Sequence, residues 1–177
     1  EADEMLDMGF INDIQGILKQ LPQQRQILLF SATMSAEIDR IAKQYMKDPV
    51  SVSVSQSTMV MPKISQWLYR VKDWERFEGL CRVLNLQNPE LALIFCQTKR
   101  EVDELHRQLK DRGYHAEALH GDYSQHQREQ VMQKFRNKEL DLLIATDLAA
   151  RGIDSKLDMV VNYTVPENPE TYVHRIG

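Results

Sequence analysis

The sequence predicts an α/β fold built on a doubly wound parallel sheet. Three observations predict it. Helical apolar periodicity alternates with short runs of strand character along the chain. Several of those runs are continuously apolar, which suits strands covered by helices on both faces. Polar residues follow the runs at their C-terminal ends, where right-handed crossovers would gather them on one sheet edge.

Apolar spacing gives the helices. Ile38, Ile41, Ala42, Tyr45 and Met46 fall on one helical face, and Phe77, Leu80, Cys81 and Leu84 repeat the pattern. Val102, Leu105 and Leu109 share a face, as do Arg128, Met132 and Phe135. Thr98-Lys99-Arg100-Glu101 and Ser124-Gln125-His126-Gln127 fit a capping box, in which two side chains satisfy orphan amides. Asn168-Pro169 puts a cap before a proline at the first helical position. The predicted strands are Gln26 to Phe30, Val50 to Val54, Trp67 to Val71, Leu91 to Cys96, Leu142 to Ala145 and Met159 to Tyr163. Ser55 to Ser65 lacks periodicity, is rich in Ser and Thr and contains Pro62. It reads as an interdomain linker or as a long surface loop.

Composition narrows the function classes. The chain of 177 residues is 42% hydrophobic and 27% charged, enough for a sizeable core and ordinary for a globular protein. A net charge of −4 excludes a uniformly basic nucleic-acid coat but leaves room for a local basic groove. Two cysteines, Cys81 and Cys96, make neither a disulfide framework nor a Cys-x-x-Cys metal spacing, which suits a reducing, cytoplasmic setting. No apolar run approaches the ~20 residues of a membrane span, so no membrane partner is expected. The acidic start, the missing initiator methionine and the abrupt His174-Arg175-Ile176-Gly177 end suggest a segment cut at both ends.

The residues that carry chemistry sit at strand ends. Glu1-Ala2-Asp3 places two carboxylates around one small residue. Such acids hold magnesium or activate water in parallel α/β NTPases, and equally suit a helix start. Ser31-Ala32-Thr33 follows Ile27-Leu28-Leu29-Phe30, where hydroxyls bridge carboxylates, sense a phosphate or cap a helix. Ala145 to Asp154 sets Thr146, Asp147, Arg151, Gly152 and Asp154 in one loop. Gly152 permits close backbone approach, Arg151 can pair with phosphate or carboxylate, and Asp154 can accept from a ribose hydroxyl. The alternative is an ordinary polar loop. His120-Gly121-Asp122 and Gln125-x-x-Arg128 flank a helix start whose free amides suit a phosphate, though His120 alone also reads as a satisfied half-buried histidine. Lys99, Arg100, Arg107, Lys110 and Arg112 on one helix, with Arg128, Lys134, Arg136 and Lys138 on another, are either a solvated face or a nucleic-acid groove.

In this order the motifs resemble the DEAD-box RNA helicases of superfamily 2. Glu1-Ala2-Asp3, followed by Glu4 to Phe10, resembles the Walker B box without its leading Asp. Ser31-Ala32-Thr33 resembles motif III, Ile94 to Thr98 motif IV, Gln125-x-x-Arg128 motif IVa and Ala145 to Asp154 motif V. Val161-Asn162-Tyr163 resembles motif Va, and His174 to Gly177 the first half of motif VI. The resemblance covers essentially the whole chain. It implies two RecA-like (P-loop NTPase-like) domains: the C-terminal end of one at residues 1–56, a linker at 57–63, and most of a second at 64–177.

The resemblance implies ATP and Mg²⁺ as cofactors and single-stranded or duplex RNA as partner, held by backbone contacts of little sequence specificity, with protein cofactors as a further partner class. It implies Glu1 as the base orienting the attacking water. Asp3, Ser31 and Thr33 would couple nucleotide state to domain contacts. Thr98, Arg100, Gly121, Gln125, Arg128 and Thr146 would lie near the RNA backbone. Gly152 and Asp154 would meet ATP, while Arg151, His174 and Arg175 would serve the interdomain contact. Thr164 departs from the family, which usually carries an acid after Asn-Tyr. No Gly-x-x-x-x-Gly-Lys-Ser/Thr occurs, and the arginines expected after Gly177 are absent, so the chain alone is expected to be inactive as an ATPase. The alternative is a free-standing RecA-like module that binds RNA or protein without hydrolysis. A Rossmann-like small-molecule domain is disfavoured, since no Gly-x-Gly-x-x-Gly follows a strand.

Overall fold

The structure, a computed structural model, describes residues 2–7, 9–31, 34–53, 64–150, 153 and 156–176. The chain folds as two compact units, Glu1–Met59 and Val60–Gly177.

In the first unit, helices α1 (Ala2–Asp7), α2 (Ile11–Gln20) and α3 (Ala36–Tyr45) are present. Ser35 caps α3 by accepting from the Ile38 N–H at 3.3 Å, and Ile38, Ile41 and Ala42 form its buried face as the periodicity predicts. Gln26 to Phe30 is not a strand. Ile27 and Leu29 are half-buried, but no described residue forms a strand ladder with the segment, and Leu28 and Phe30 stay 70% and 74% exposed. An extended run becomes a strand only when a neighbour supplies its ladder. The same correction applies to Val50 to Ser53; Val54 lies outside the described residues, as does the expected linker at 57–63.

In the second unit, α4 (Arg76–Gln87) follows a 3₁₀ turn (Asp73–Glu75), and then come β1 (Ala92–Phe95), α5 (Lys99–Asp111), β2 (Ala116–Leu119), α6 (Gln125–Arg136), β3 (Leu142–Ala145), α7 (Asp147–Ala150), β4 (Met159–Asn162) and α8 (Pro169–Ile176). The four strands form one sheet in the order β2-β3-β1-β4, and every pair is parallel. Alternation along β1 explains the two layers. Ala92, Ile94 and Cys96 join Leu80, Leu84, Val102, Leu105 and Leu109 of α4 and α5 in one core. Leu91, Leu93 and Phe95 join Val131, Met132 and Phe135 of α6, with Ala149 and Ala150 of α7, on the other face. Asp158 Oδ2 accepts from the Glu90 and Leu91 N–H groups at 3.1 Å each, which fixes the start of β1 against β4.

Trp67 to Val71 is the third predicted strand that does not form; it too has no ladder partner among the described residues. It runs beside α4, where Gly79 leaves room for Val71: a Cβ there would sit 3.2 Å from Val71 Cγ1. Strand β2 carries no strand signal in the sequence. Its residues, Ala-Glu-Ala-Leu, are mostly of types depleted in strands, and it becomes one because β3 offers it a ladder. The helix signals are better guides. Ser124 and Gln127 form both bonds of a capping box on α6, and Pro169 is the first residue of α8. At α5, Thr98 accepts from the Glu101 N–H, but the Glu101 carboxylate accepts from Gln97 rather than from the cap residue itself.

Candidate functional site

The C-terminal edge of the sheet collects the predicted residues of the second unit. The connections leave the adjacent strands β1 and β3 towards opposite faces, one into α5 and one into α7, so the loops starting at Cys96 and Thr146 diverge there. That divergence is where open α/β sheets place their ligands.

Arg175 is the centre of this edge. It is 6% exposed. Its guanidinium grips the Asp147 carboxylate with two bonds, Nε to Oδ1 at 2.5 Å and Nη2 to Oδ2 at 2.8 Å. Nη1 donates to Asn162 Oδ1 and to the Thr164 carbonyl, each at 2.8 Å. The guanidinium also lies 4.9 Å from the centre of the Phe95 ring. A planar fork is what a bidentate carboxylate contact requires, and a cation this buried needs every bond it makes. Arg175 thereby joins α8, the start of α7 and the end of β4. Sequence reasoning names Asp147 in the loop that carries chemistry but gives it no role, and it does not single out Asn162 or Thr164 as site residues; each lies within or just after a motif that it does find.

Thr98 sits at the end of β1 as the α5 cap, and its hydroxyl is occupied by the Glu101 N–H at 3.2 Å. Arg100 is exposed and carries no ion pair among the described residues. The Thr146 carbonyl accepts from the Ala149 and Ala150 N–H groups and so starts α7. Arg128 turns inward and donates from Nη2 to the Ala149 carbonyl at 2.6 Å, joining α6 to α7. Gln125, on the first turn of α6, donates to Glu129 at 2.8 Å. Gln125, Arg128, Glu129, Met132, Arg136 and Ile153 are among the residues lining a groove of about 480 Å³.

His120 is buried, not half-buried. The Asp122 N–H points at its Nδ1 (3.4 Å), Nε2 lies 2.9 Å from Asp103 Oδ1, and its ring meets Tyr123 edge-on at 4.7 Å. This fits the tautomer protonated on Nε2. Lys99 Nζ lies 2.7 Å from Asp122, and that ammonium holds the Asp122 carboxyl below its usual range. Gly121 between them is exposed, adopts no positive φ and would meet nothing within 4 Å of an added Cβ. The basic runs are neutralised in part: Lys99, Arg112, Lys134 and Lys138 pair with Asp122, Glu78, Glu117 and Glu90. Arg100, Arg107, Lys110 and Arg136 carry no ion pair among the described residues.

In the first unit, the Asp3 N–H donates to Ser31 Oγ at 3.1 Å and the Ala2 N–H to the Phe30 carbonyl at 3.0 Å. Ala2 and Asp3 therefore meet Phe30 and Ser31, and Asp3 is 7% exposed. Glu1, Thr33, Arg151, Gly152 and Asp154 lie outside the described residues, and His174 is exposed on α8. Among the described residues no group of three or more His, Cys, Asp or Glu side chains could hold a metal ion, and no helix is long and apolar enough to cross a membrane.

Comparison with known proteins agrees with this layout. Residues 75–177 match the helicase conserved C-terminal domain, and residues 1–41 match the DEAD/DEAH box helicase family. The ATP-dependent RNA helicase CshA of Limosilactobacillus reuteri is 49% identical over 100% of this chain and 36% of its own length. The DEAD-box ATP-dependent RNA helicase CshA of Geobacillus kaustophilus is 51% identical over 100% of this chain and 38% of its own. The chain thus spans little more than a third of these relatives. Among solved structures, S. cerevisiae Dbp5 bound to RNA and ADP BeF3 superposes with a TM-score of 0.85 at 31% identity, over 99% of this chain and 47% of that one. A DEAD box protein from Methanococcus jannaschii gives 0.62 at 47% identity, over 99% and 47%.

Proposed function

The chain belongs to the DEAD-box helicase family, and from that premise we propose that it is the segment of an ATP-dependent RNA helicase running from the acidic box to the first half of motif VI. The observation that carries this reading is the Arg175 clamp, which binds motif V through Asp147 and motif Va through Asn162 at the sheet edge. The relatives named as ATP-dependent RNA helicases and the RNA-bound Dbp5 structure support it.

In this reading residues 1–56 end one RecA-like domain, 57–63 link it, and 64–177 form most of a second. Glu1 orients the attacking water, and Asp3, Ser31, Thr33 and Arg151 answer to the nucleotide state. Gly152 and Asp154 meet ATP. Thr98, Arg100, Gly121, Gln125, Arg128 and Thr146 lie along the RNA backbone. His174 serves the contact between domains. Arg175 works from within the second domain by holding the motif V loop in place, since its fork is already spent on Asp147. Contacts to phosphate and sugar position a strand without reading its sequence. Magnesium, protein cofactors and a cytoplasmic setting belong to the same proposal.

No three-acid cluster exists among the described residues and no phosphate-binding Gly-x-x-x-x-Gly-Lys occurs in the sequence. The chain by itself is therefore proposed to be inactive. Reading the coding sequence across both ends tests the whole assignment. A frame continuing upstream into Gly-x-x-x-x-Gly-Lys-Thr and downstream into Arg-x-Gly-Arg supports it. A frame that closes near Glu1 and Gly177 leaves only a binding module.

A further inference from the structure

Thr164 stands directly after Asn162-Tyr163, where the family usually carries an acid, and the structure gives the replacement a use. Three elements converge on it. Its N–H donates to the Phe95 carbonyl at the end of β1 (3.3 Å), and its own carbonyl accepts from Arg175 Nη1 (2.8 Å). Its hydroxyl donates to Glu101 Oε1 at 2.6 Å, across 63 residues of sequence. Glu101 is only 24% exposed at its side chain. Its other oxygen accepts from the Gln97 N–H at 2.9 Å, and its own N–H donates to the Thr98 hydroxyl at 3.2 Å. Arg76 Nη1 lies 3.8 Å from Oε1, the ion pair of this carboxylate among the described residues.

The bonds form an unbroken path. Asp147 holds Arg175, Arg175 holds the Thr164 carbonyl, the Thr164 hydroxyl holds Glu101, and Glu101 fixes the Gln97-Thr98 loop. One end is the motif V loop, the nucleotide side in the helicase reading; the other is the motif IV loop, its RNA side. An ionised acid at position 164 could not donate this bond and would set a second carboxylate against Glu101.

We propose that Thr164 is a positioning residue that transmits the state of the motif V–VI clamp to the motif IV loop through Glu101, and so sets how strongly bound nucleotide tightens the grip on RNA. The inference rests on the helicase reading. A hydrogen bond to a charged group in this setting is worth about tenfold in an equilibrium constant.

The test uses the full-length protein and a labelled single-stranded oligouridylate. Its dissociation constant is measured with and without ADP·BeF3, and the ratio is the readout. The expected result is a ratio reduced about tenfold in T164V, retained within about twofold in T164S, and reduced severalfold in E101Q, whose amide nitrogen cannot accept from Gln97. A purely structural role would lower the melting temperature and leave the ratio alone. An unchanged ratio in folded T164V overturns the inference; where T164V does not fold, an unchanged ratio in E101Q does so. Wild-type protein that shows no RNA binding or no nucleotide effect overturns the helicase reading instead, before any variant is compared.

Discussion

Arg175 and Asp147 face each other as a planar guanidinium and a carboxylate joined by two bonds, 2.5 Å and 2.8 Å long, although 28 residues separate them. The arginine side chain is 3% exposed and the aspartate 41%. Removing the aspartate therefore leaves a buried cation without its counter-ion, held only by Asn162 and the Thr164 carbonyl. D147A is expected to destabilise the second unit by about 3 kcal/mol, the low end for a broken buried pair because Asp147 itself is partly solvated. D147N keeps one acceptor oxygen and loses less. Urea denaturation followed by circular dichroism measures both, and a loss under about 0.5 kcal/mol in D147A would show the pair to be incidental.

Gly121 offers a sharper separation of binding from stability. Its backbone conformation is open to any residue and no atom lies within 4 Å of an added Cβ. G121A is expected to leave the melting temperature unchanged or slightly raised, because alanine narrows the unfolded ensemble. RNA affinity should nonetheless fall if a backbone passes closely over this loop. Unaltered affinity in G121A would remove Gly121 from the RNA face.

The buried thiols and phenols set an alkaline limit. Burial pushes the Cys96 and Cys81 thiols up, and likewise the phenols of Tyr114, Tyr123 and Tyr163. Each of these groups stays protonated in the folded chain at a pH where its unfolded counterpart has ionised. The unfolded state then holds fewer protons, so stability is full below the ordinary thiol range and falls as pH rises through and above it. Stability measured between about pH 7 and about pH 10.5 should decline above about pH 9. C96A, although less stable throughout, should show a flatter decline. A profile as steep in C96A as in wild type would assign the loss elsewhere.

Arg151 lies in the loop whose density of functional groups is greatest. In the complete protein, R151A is expected to abolish RNA-stimulated ATP hydrolysis while the second unit keeps its wild-type melting temperature. Unchanged hydrolysis would contradict the assignment of the motif V loop.

How much of the fold and site is legible in the sequence differs from residue to residue. Helices read well because caps and periodicity are local: Ser124, Thr98 and Pro169 start their helices as the sequence suggests. Strands read less well because a strand depends on its neighbour. Ala116 to Leu119 has poor strand residues and a partner in β3; Gln26 to Phe30 has good ones and no ladder partner among the described residues. The motifs are located by residue type and order. What the spacing does not show is where each side chain spends its bonds. Arg175 is expected at the interdomain contact, yet its donors go to Asp147, Asn162 and Thr164. His120 reads as half-buried because its partner Asp103 sits on a different element, 17 residues away. In the basic runs, Lys99, Arg112, Lys134 and Lys138 pair with carboxylates that come from elsewhere in the chain, which residue type and spacing do not show.

The central claim, that this chain is the working middle of an ATP-dependent RNA helicase, is tested most directly by ATP hydrolysis. Phosphate release would be measured with Mg²⁺, with and without single-stranded RNA, for the protein extended at both ends and for the 177-residue chain. Hydrolysis by the extended protein that RNA stimulates and EDTA abolishes, beside none from the chain alone, is the predicted result. An extended protein that folds and binds RNA but hydrolyses nothing would contradict the account, and RNA-stimulated hydrolysis by the 177-residue chain alone would contradict its proposed inactivity.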